Sequence, residues 1–161
     1  MRFLALLKPG LGTSASIYFY SRWGVVFLGR PNYLSTRSWL DGSDYSRISI
    51  SKGCTVSSGV SFLTHDWSLN TIARAVGRET TEQIGIHGEI FIGEHCFIGR
   101  GCILMPGAVV KRGCLIGAGS VVRGVVEEYS VVVGNPGKVI GDSREYFNRK
   151  VDELNLSDKL K

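Results

Sequence analysis

Residues 86–121 divide into six-residue words, IHGEIF, IGEHCF, IGRGCI, LMPGAV, VKRGCL and IGAGSV, with Val122 opening the next. An aliphatic residue starts each word: Ile86, Ile92, Ile98, Leu104, Val110, Ile116 and Val122. Ile50, Val56 and Phe62 keep the same phase, because 62 and 86 differ by 24. Four residues after the aliphatic comes a second, usually small, position, occupied by Cys54, Val60, Ile90, Cys96, Cys102, Ala108, Cys114, Ser120 and Val126. Glycine often follows the aliphatic directly, as at Gly93, Gly99 and Gly117. A period of six is neither the 3.6 of a helix nor the 2 of a strand. It fits a parallel β-helix, in which each word makes one flat side and one corner of a prism. The aliphatic and small positions then point inward, and glycine serves corners that need positive φ or close approach. Three words complete a coil of 18 residues. Ile86, Leu104 and Val122 are therefore expected in one column, and Ile98 and Ile116 in another. An antiparallel barrel or sandwich would show turns every 8 to 12 residues with alternating polarity, and seven words in one phase do not read that way.

Outward from this core the pattern loosens. Leu34 and Leu40 suggest imperfect words, and the phase slips before Ile48 and Ile50. Residues 1–47 are expected to form irregular N-terminal coils. The apolar, aromatic stretch Ile17 to Leu28 reads as an early strand, a coil, or a surface that meets a partner or a membrane. Residues 66–85 leave the repeat without changing its phase, so they are expected as a protruding loop. Loops of this length in a compact domain are usually functional or disordered. After Val122 the pattern breaks at Gly124 to Ser130 and resumes at Val131 to Val133. Gly134 to Lys138 form a turn that ends the repeat region, 48–141. Residues 142–161 read as a helix, with Asp142 and Glu145 as a capping box and Phe147, Val151 and Leu154 as one apolar stripe. That helix is expected to cover the open end of the prism.

The chain has 161 residues, room for a single domain. At 43% hydrophobic and 20% charged it is not a disordered tail. Glycine, at 21 residues, is about twice its usual share. The net charge of +5 suits nucleic acid, membrane headgroups or a polyanionic small molecule, and composition does not choose among them. No run approaches the roughly 18 to 20 apolar residues of a membrane span. The apolar run in Met1 to Leu7 is short for a signal peptide, so a cytoplasmic location is expected. Cys54, Cys96, Cys102 and Cys114 fit no CxxC metal pattern and read as compact inward fillers.

Three histidines offer chemistry. His87 and His95 lie eight apart, with His95 at an outward corner, so no three-His metal site is expected. His65 stands where the prism opens into the excursion, beside Asp66 and Trp67. A general base needs access and a neighbour that holds it, and the mouth of a loop offers both. A surface histidine that only fixes the root of the loop would look the same.

The segments Ile92 to Gly99, Ile116 to Val122 and Val133 to Ile140 resemble the hexapeptide-repeat acyltransferases, the Gly-Asn-Pro run most specifically. Within that group the chain is most similar to the sugar and polysaccharide O-acetyltransferases related to galactoside and maltose acetyltransferases. The resemblance spans roughly residues 48–141. It implies a left-handed parallel β-helix, a homotrimer, and acetyl-CoA bound in the cleft between neighbouring prisms. It places the catalytic base at His65, just before the excursion, with Asp66 and Trp67 next to the acceptor. It also implies a cofactor wall. Phe97 stands where relatives often have Trp beside the pantetheine arm, and Arg100 stands at a usually small position. Gly117 and Ala118 match the backbone that bonds the pantetheine amide. Arg123 replaces a Thr or Lys, and Lys138 matches a basic position near the nucleotide phosphates. The reaction implied is direct acetyl transfer to a hydroxyl of a sugar or glycan, with no metal and no nucleic acid. Transfer to the amine of a nucleotide sugar, and a non-catalytic scaffold, remain open alternatives.

Overall fold

The computed structural model describes residues 9–78 and 81–160; the reading of Met1 to Leu7 lies outside them. The chain begins with α1 (Pro9–Arg22). One strand for each of three sheets follows: β1 (Val26–Leu28), β2 (Tyr33–Leu34) and β3 (Trp39–Asp41). A second turn is made by β4 (Ile48–Ser51), β5 (Thr55–Val56) and β6 (Ser61–Leu63). The chain then departs through β7 (His65–Asp66), α2 (Ser68–Ala75) and β8 (Ile86–His87), and returns at β9 (Ile90–Ile92). The winding continues through β10 (Phe97–Ile98), β11 (Ile103–Leu104), β12 (Val109–Val110), β13 (Leu115–Ile116), β14 (Val121–Val122), β15 (Val125–Val126) and β16 (Ser130–Val133). β17 (Lys138–Asp142) doubles back antiparallel on β16, and α3 (Ser143–Glu153) follows.

The first face is β1-β4-β9-β12-β15, the second β2-β5-β10-β13-β16-β17, and the third β3-β6-β11-β14. Apart from β17, every pairing within these faces is parallel. Stacked partners sit one coil apart: Leu104 on Val122, Ile98 on Ile116, Ile92 on Val110. The inward aliphatics are fully buried and form one continuous core. Each contributes roughly 1.5 to 3 kcal/mol of burial, so the column, not any single short strand, carries the stability.

Several expectations need correction. Ile86 is not in the column of Leu104 and Val122. It is 45% exposed and pairs antiparallel with Asp66, and the place below Leu104 belongs to Phe62. The excursion therefore rejoins the lattice at Ile90, after an antiparallel ribbon that keeps the hexad phase by coincidence of length. It is also not a bare loop, because Ser68–Ala75 is helical. The protein is not all-β: α1 occupies part of the region expected as irregular coil. From Val26 onward that region is already a coil in register, with Leu34 on Val56 and Leu40 on Phe62. The cap on the prism end is α1, which buries Tyr20 against the first coil. α3 instead buries no residue. It borders a groove of about 380 Å³ outside Leu115, Val131 and Val133 on the second face. Its N-terminus is as expected: Asp142 accepts from the N–H groups of Arg144 at 2.8 Å and Glu145 at 3.4 Å.

Glycine after the aliphatic serves close approach rather than positive φ. A Cβ on Gly99 would lie 2.6 Å from the Ala118 amide nitrogen of the next coil. The left-handed residue comes two places later, and at one corner it is His95, with φ of 56°. The four cysteines are free and buried, and they are more than fillers. Each thiol lies close to a carbonyl one coil on, Cys54 to Gly93 at 2.9 Å and Cys102 to Gly117 at 3.0 Å. Burial pushes the Cys102 thiol up, away from the reactive thiolate.

Candidate active site at the interrupted corner

The third face ends at Asp41, Leu63 and their counterparts above, and the next residues turn the corner to the first face. At the second coil this corner carries Thr64 and His65. The Thr64 hydroxyl donates to the Asp41 carbonyl at 3.0 Å, and its own carbonyl accepts from Gly88 N–H at 3.1 Å. These bonds tie both roots of the excursion to the prism. His65 then pairs with His87 across the antiparallel ribbon. The two imidazoles lie 6.4 Å apart with their planes 29° from parallel, and the Trp67 ring stands 5.5 Å from His65 and 5.2 Å from His87.

The carboxylate of Asp41 faces Nδ1 of His65 at 3.6 Å. That is too long for a hydrogen bond, so the carboxylate sets the orientation of the ring by proximity alone. With Nδ1 turned to Asp41, Nε2 is the nitrogen left for a substrate proton. Both side chains are partly accessible, 22% for His65 and 34% for Asp41. Gly42 lets the backbone pass beside them: at φ of 101°, a Cβ there would stand 2.8 Å from the Thr64 hydroxyl and 3.4 Å from Nδ1 of His65. Together Gly42, Ser43, Asp44, Arg47, Thr64, His65, Trp67 and His87 enclose an open depression of about 310 Å³. This arrangement can hold a small polar molecule against an imidazole whose far nitrogen is backed by a carboxylate.

The expected site residues divide into two groups. His65 and Trp67 line the depression. Asp66 neighbours them, but its Oδ1 accepts from Ser68 N–H at 2.8 Å at the start of α2. The hydrogen bonds from Ser68 hold its carboxyl below the usual range, with a smaller contribution from the charge of Arg123, which follows Val122 at the end of the third face. The others are elsewhere. Phe97 projects from the second face, 44% exposed, between Thr55 and Leu115. Arg100, Gly117 and Ala118 stack at the corner between the second and third faces, where Gly119 N–H donates to the Arg100 carbonyl at 2.8 Å. Lys138 pairs with Val133 at the end of the second face. A single chain does not bring them to His65.

Asp41, His87 and Gly42 were missed. Asp41 was within reach, since the imperfect word at Leu40 puts the next residue beside Leu63 in the coil above. His87 was not, because the return register of the ribbon has no periodic signal. Among the described residues no group of three or more His, Cys, Asp or Glu side chains could hold a metal ion. No described helix is long and apolar enough to cross a membrane.

Residues 89–124 match the family described as bacterial transferase hexapeptide (six repeats). No curated protein matches the chain. Among solved structures, a hexapeptide-repeat-containing acetyltransferase from Vibrio cholerae is 18% identical over 74% of this chain and 61% of its own, with a TM-score of 0.58. Its complex with acetyl-CoA aligns with a TM-score of 0.61, at 17% identity over 80% and 77% of the two chains. A maltose O-acetyltransferase from Clostridium difficile is 20% identical over 88% of this chain and 81% of its own, TM-score 0.56. An N-acyltransferase from Bacillus cereus, solved with dTDP and 3-hydroxybutyryl-CoA, is 19% identical over 85% and 76%, TM-score 0.54. The chain spans less than two thirds of the first Vibrio structure, and these likenesses establish the shared fold.

Proposed function

We propose that the chain is an acetyl-CoA-dependent O-acetyltransferase, acting on a hydroxyl of a sugar or glycan with His65 as general base. The observation that carries this reading is the His65 imidazole in an open depression, backed at Nδ1 by Asp41 and walled by Trp67 and His87. Neutral His65 takes the acceptor proton at Nε2 as the hydroxyl oxygen bonds to the thioester carbonyl carbon. The carbon–sulfur bond then breaks, and the departing thiolate takes the proton from the imidazolium. Asp41 stabilises that imidazolium through its charge. Trp67 offers an apolar face for a sugar ring. The four cysteines are buried and offer no thiol for an acyl-enzyme, and the step is written as direct transfer.

The second half of the site is assigned to another copy. In a left-handed prism assembled as a trimer, Phe97, Arg100, Gly117, Ala118 and Lys138 of one chain would face the His65 corner of the next. Arg100, Arg123 and Lys138 suit the phosphates of CoA, and Phe97 suits the pantetheine arm. Two features support this: Phe97, Arg100, Ala118 and Lys138 are exposed on the second face and its corner, with Gly117 partly so, and acetyl-CoA is bound by a solved structure of the same fold. The cytoplasm, where acetyl-CoA is available, is the matching compartment. Transfer to the amine of a nucleotide sugar is the second reading, favoured by the fold shared with the dTDP-bound N-acyltransferase.

Thiol release from acetyl-CoA, measured with panels of sugars and of amino sugars, tests the proposal. Release with a hydroxyl acceptor, lost in His65→Ala while acetyl-CoA still raises the unfolding midpoint, is the expected result. Release only with amines selects the second reading. No midpoint shift at saturating acetyl-CoA, where 100 times Kd adds about 2.7 kcal/mol, contradicts both and leaves a scaffold.

A further inference from the structure

α1 turns Ile17 and Tyr20 to the core but fills the rest of its inner side with hydroxyls. Its buried row is Thr13, Ser16 and Tyr20, whose hydroxyls serve the first coil. Ser16 Oγ donates to the Leu34 carbonyl at 2.9 Å, and the Tyr20 hydroxyl lies 3.3 Å from the Ser35 carbonyl. The opposite side shows Leu11, Tyr18 and Phe19 to the outside, with Tyr18 63% exposed and Trp23 49% exposed just past the helix end. Leu11, Tyr18 and Arg22 recur at intervals of seven and four, which sets them on one stripe. A helix that caps a core ordinarily turns its apolar side inward. This one leaves aromatic surface uncovered at the tip of the prism, beyond the first coil, which is the edge strand of the first and third faces and the N-terminal edge of the second.

Charge is distributed just as unevenly. Residues 1–40 hold five Lys and Arg and no Asp or Glu. The remainder holds fourteen basic and fourteen acidic residues, so the entire net charge of +5 lies before Asp41. Two of these cations flank the aromatic stripe. Arg22 is in the last turn of α1, and the Arg30 guanidinium donates to Ser14 Oγ at 2.9 Å.

From these two features we infer that the α1 end of the prism docks on an anionic lipid bilayer. Tyr and Trp side chains favour the headgroup layer, and arginines beside them meet the negative surface potential. A second copy of the chain fits poorly, since it would bring Arg22 and Arg30 of one end against those of another. Nucleic acid also fits less well, because the aromatics stand on the convex side of a helix rather than along a groove that tracks a backbone.

The test is co-sedimentation of the full chain with phosphatidylcholine vesicles, with and without phosphatidylglycerol, at low and high salt. Retention by the anionic vesicles, weakened by salt, is expected. Tyr18→Ser with Phe19→Ser should lower partitioning at least ten-fold, and Arg22→Gln about five-fold. Both variants replace exposed side chains and should keep the unfolding midpoint and the turnover of a soluble acceptor. No retention by anionic vesicles, or retention unchanged in both variants, overturns the inference. So does tighter binding to a single-stranded oligonucleotide than to vesicles, or self-association that Tyr18→Ser with Phe19→Ser abolishes.

Discussion

The corner after Phe62 and the corner after Leu104 are stacked on each other and start identically, with the two aliphatic residues paired in parallel register. After Leu104 the chain needs six residues to reach Val110 on the first face; after Phe62 it needs thirty to reach Ile92. The lattice is the same on either side of the interruption, with Ile48 on Ile90 and Ile50 on Ile92. The prism tolerates the detour because its roots are joined: Gly88 N–H bonds the Thr64 carbonyl, and Gly88 passes so near Gly107 that a Cβ would stand 2.2 Å from its amide nitrogen. The corner after Leu104 holds only Met105, Pro106, Gly107 and Ala108. The interrupted corner gathers two imidazoles, an indole and a carboxylate while the coils on either side stay in register. Polar and aromatic side chains gather where the repeat is broken, and the buried aliphatic column runs where it is kept.

Substitutions at the two corners should separate these roles. His65→Ala is expected to lower turnover by about 10² to 10⁴ with no change in thermal midpoint; steady-state kinetics beside a melting curve checks both. Leu104→Ala should do the reverse, costing about 2 to 5 kcal/mol in chemical denaturation while native protein retains its kcat. Asp41→Asn sharpens the picture of the interrupted corner. A partly exposed ion pair contributes up to about 1 kcal/mol, so kcat should fall about five-fold with KM for acetyl-CoA unchanged. The smallest effect lies away from both corners, at α3. Arg144 holds the Asp142 carboxyl down to about 2. A carboxyl lowered in the folded chain stabilises above its ordinary range and loses that contribution as pH falls toward about 2. Acid titration followed by circular dichroism should therefore show α3 fraying between about pH 4 and 2, and Arg144→Ala should move the transition to higher pH.

The regular corners were legible because stacking imposes a period. Inward Ile98 and Ile116 must meet their counterparts one coil away, and the letters repeat accordingly. The end of the prism was not. Thr13 and Ser16 stand beside Ile17 and Tyr20 on the inner side of α1, so its text carries no clean apolar stripe to announce a cap. Ile86 misled for a related reason: it has the right letter at the right interval, yet it sits in a ribbon whose register is set by hydrogen bonds to Asp66, not by the core. At the site, the break pointed to His65 as a candidate, and its role as base came from the family resemblance. Asp41 needed the register of an imperfect coil, and His87 needed the fold itself.

The most direct test of the account is a structure of the assembled protein with acetyl-CoA. The thioester is expected within hydrogen-bonding reach of the acceptor space beside Nε2 of His65, with Phe97 and Arg100 of a neighbouring copy along the cofactor. A thioester bound away from the interrupted corner, or an assembly in which the second face never meets that corner, would contradict it.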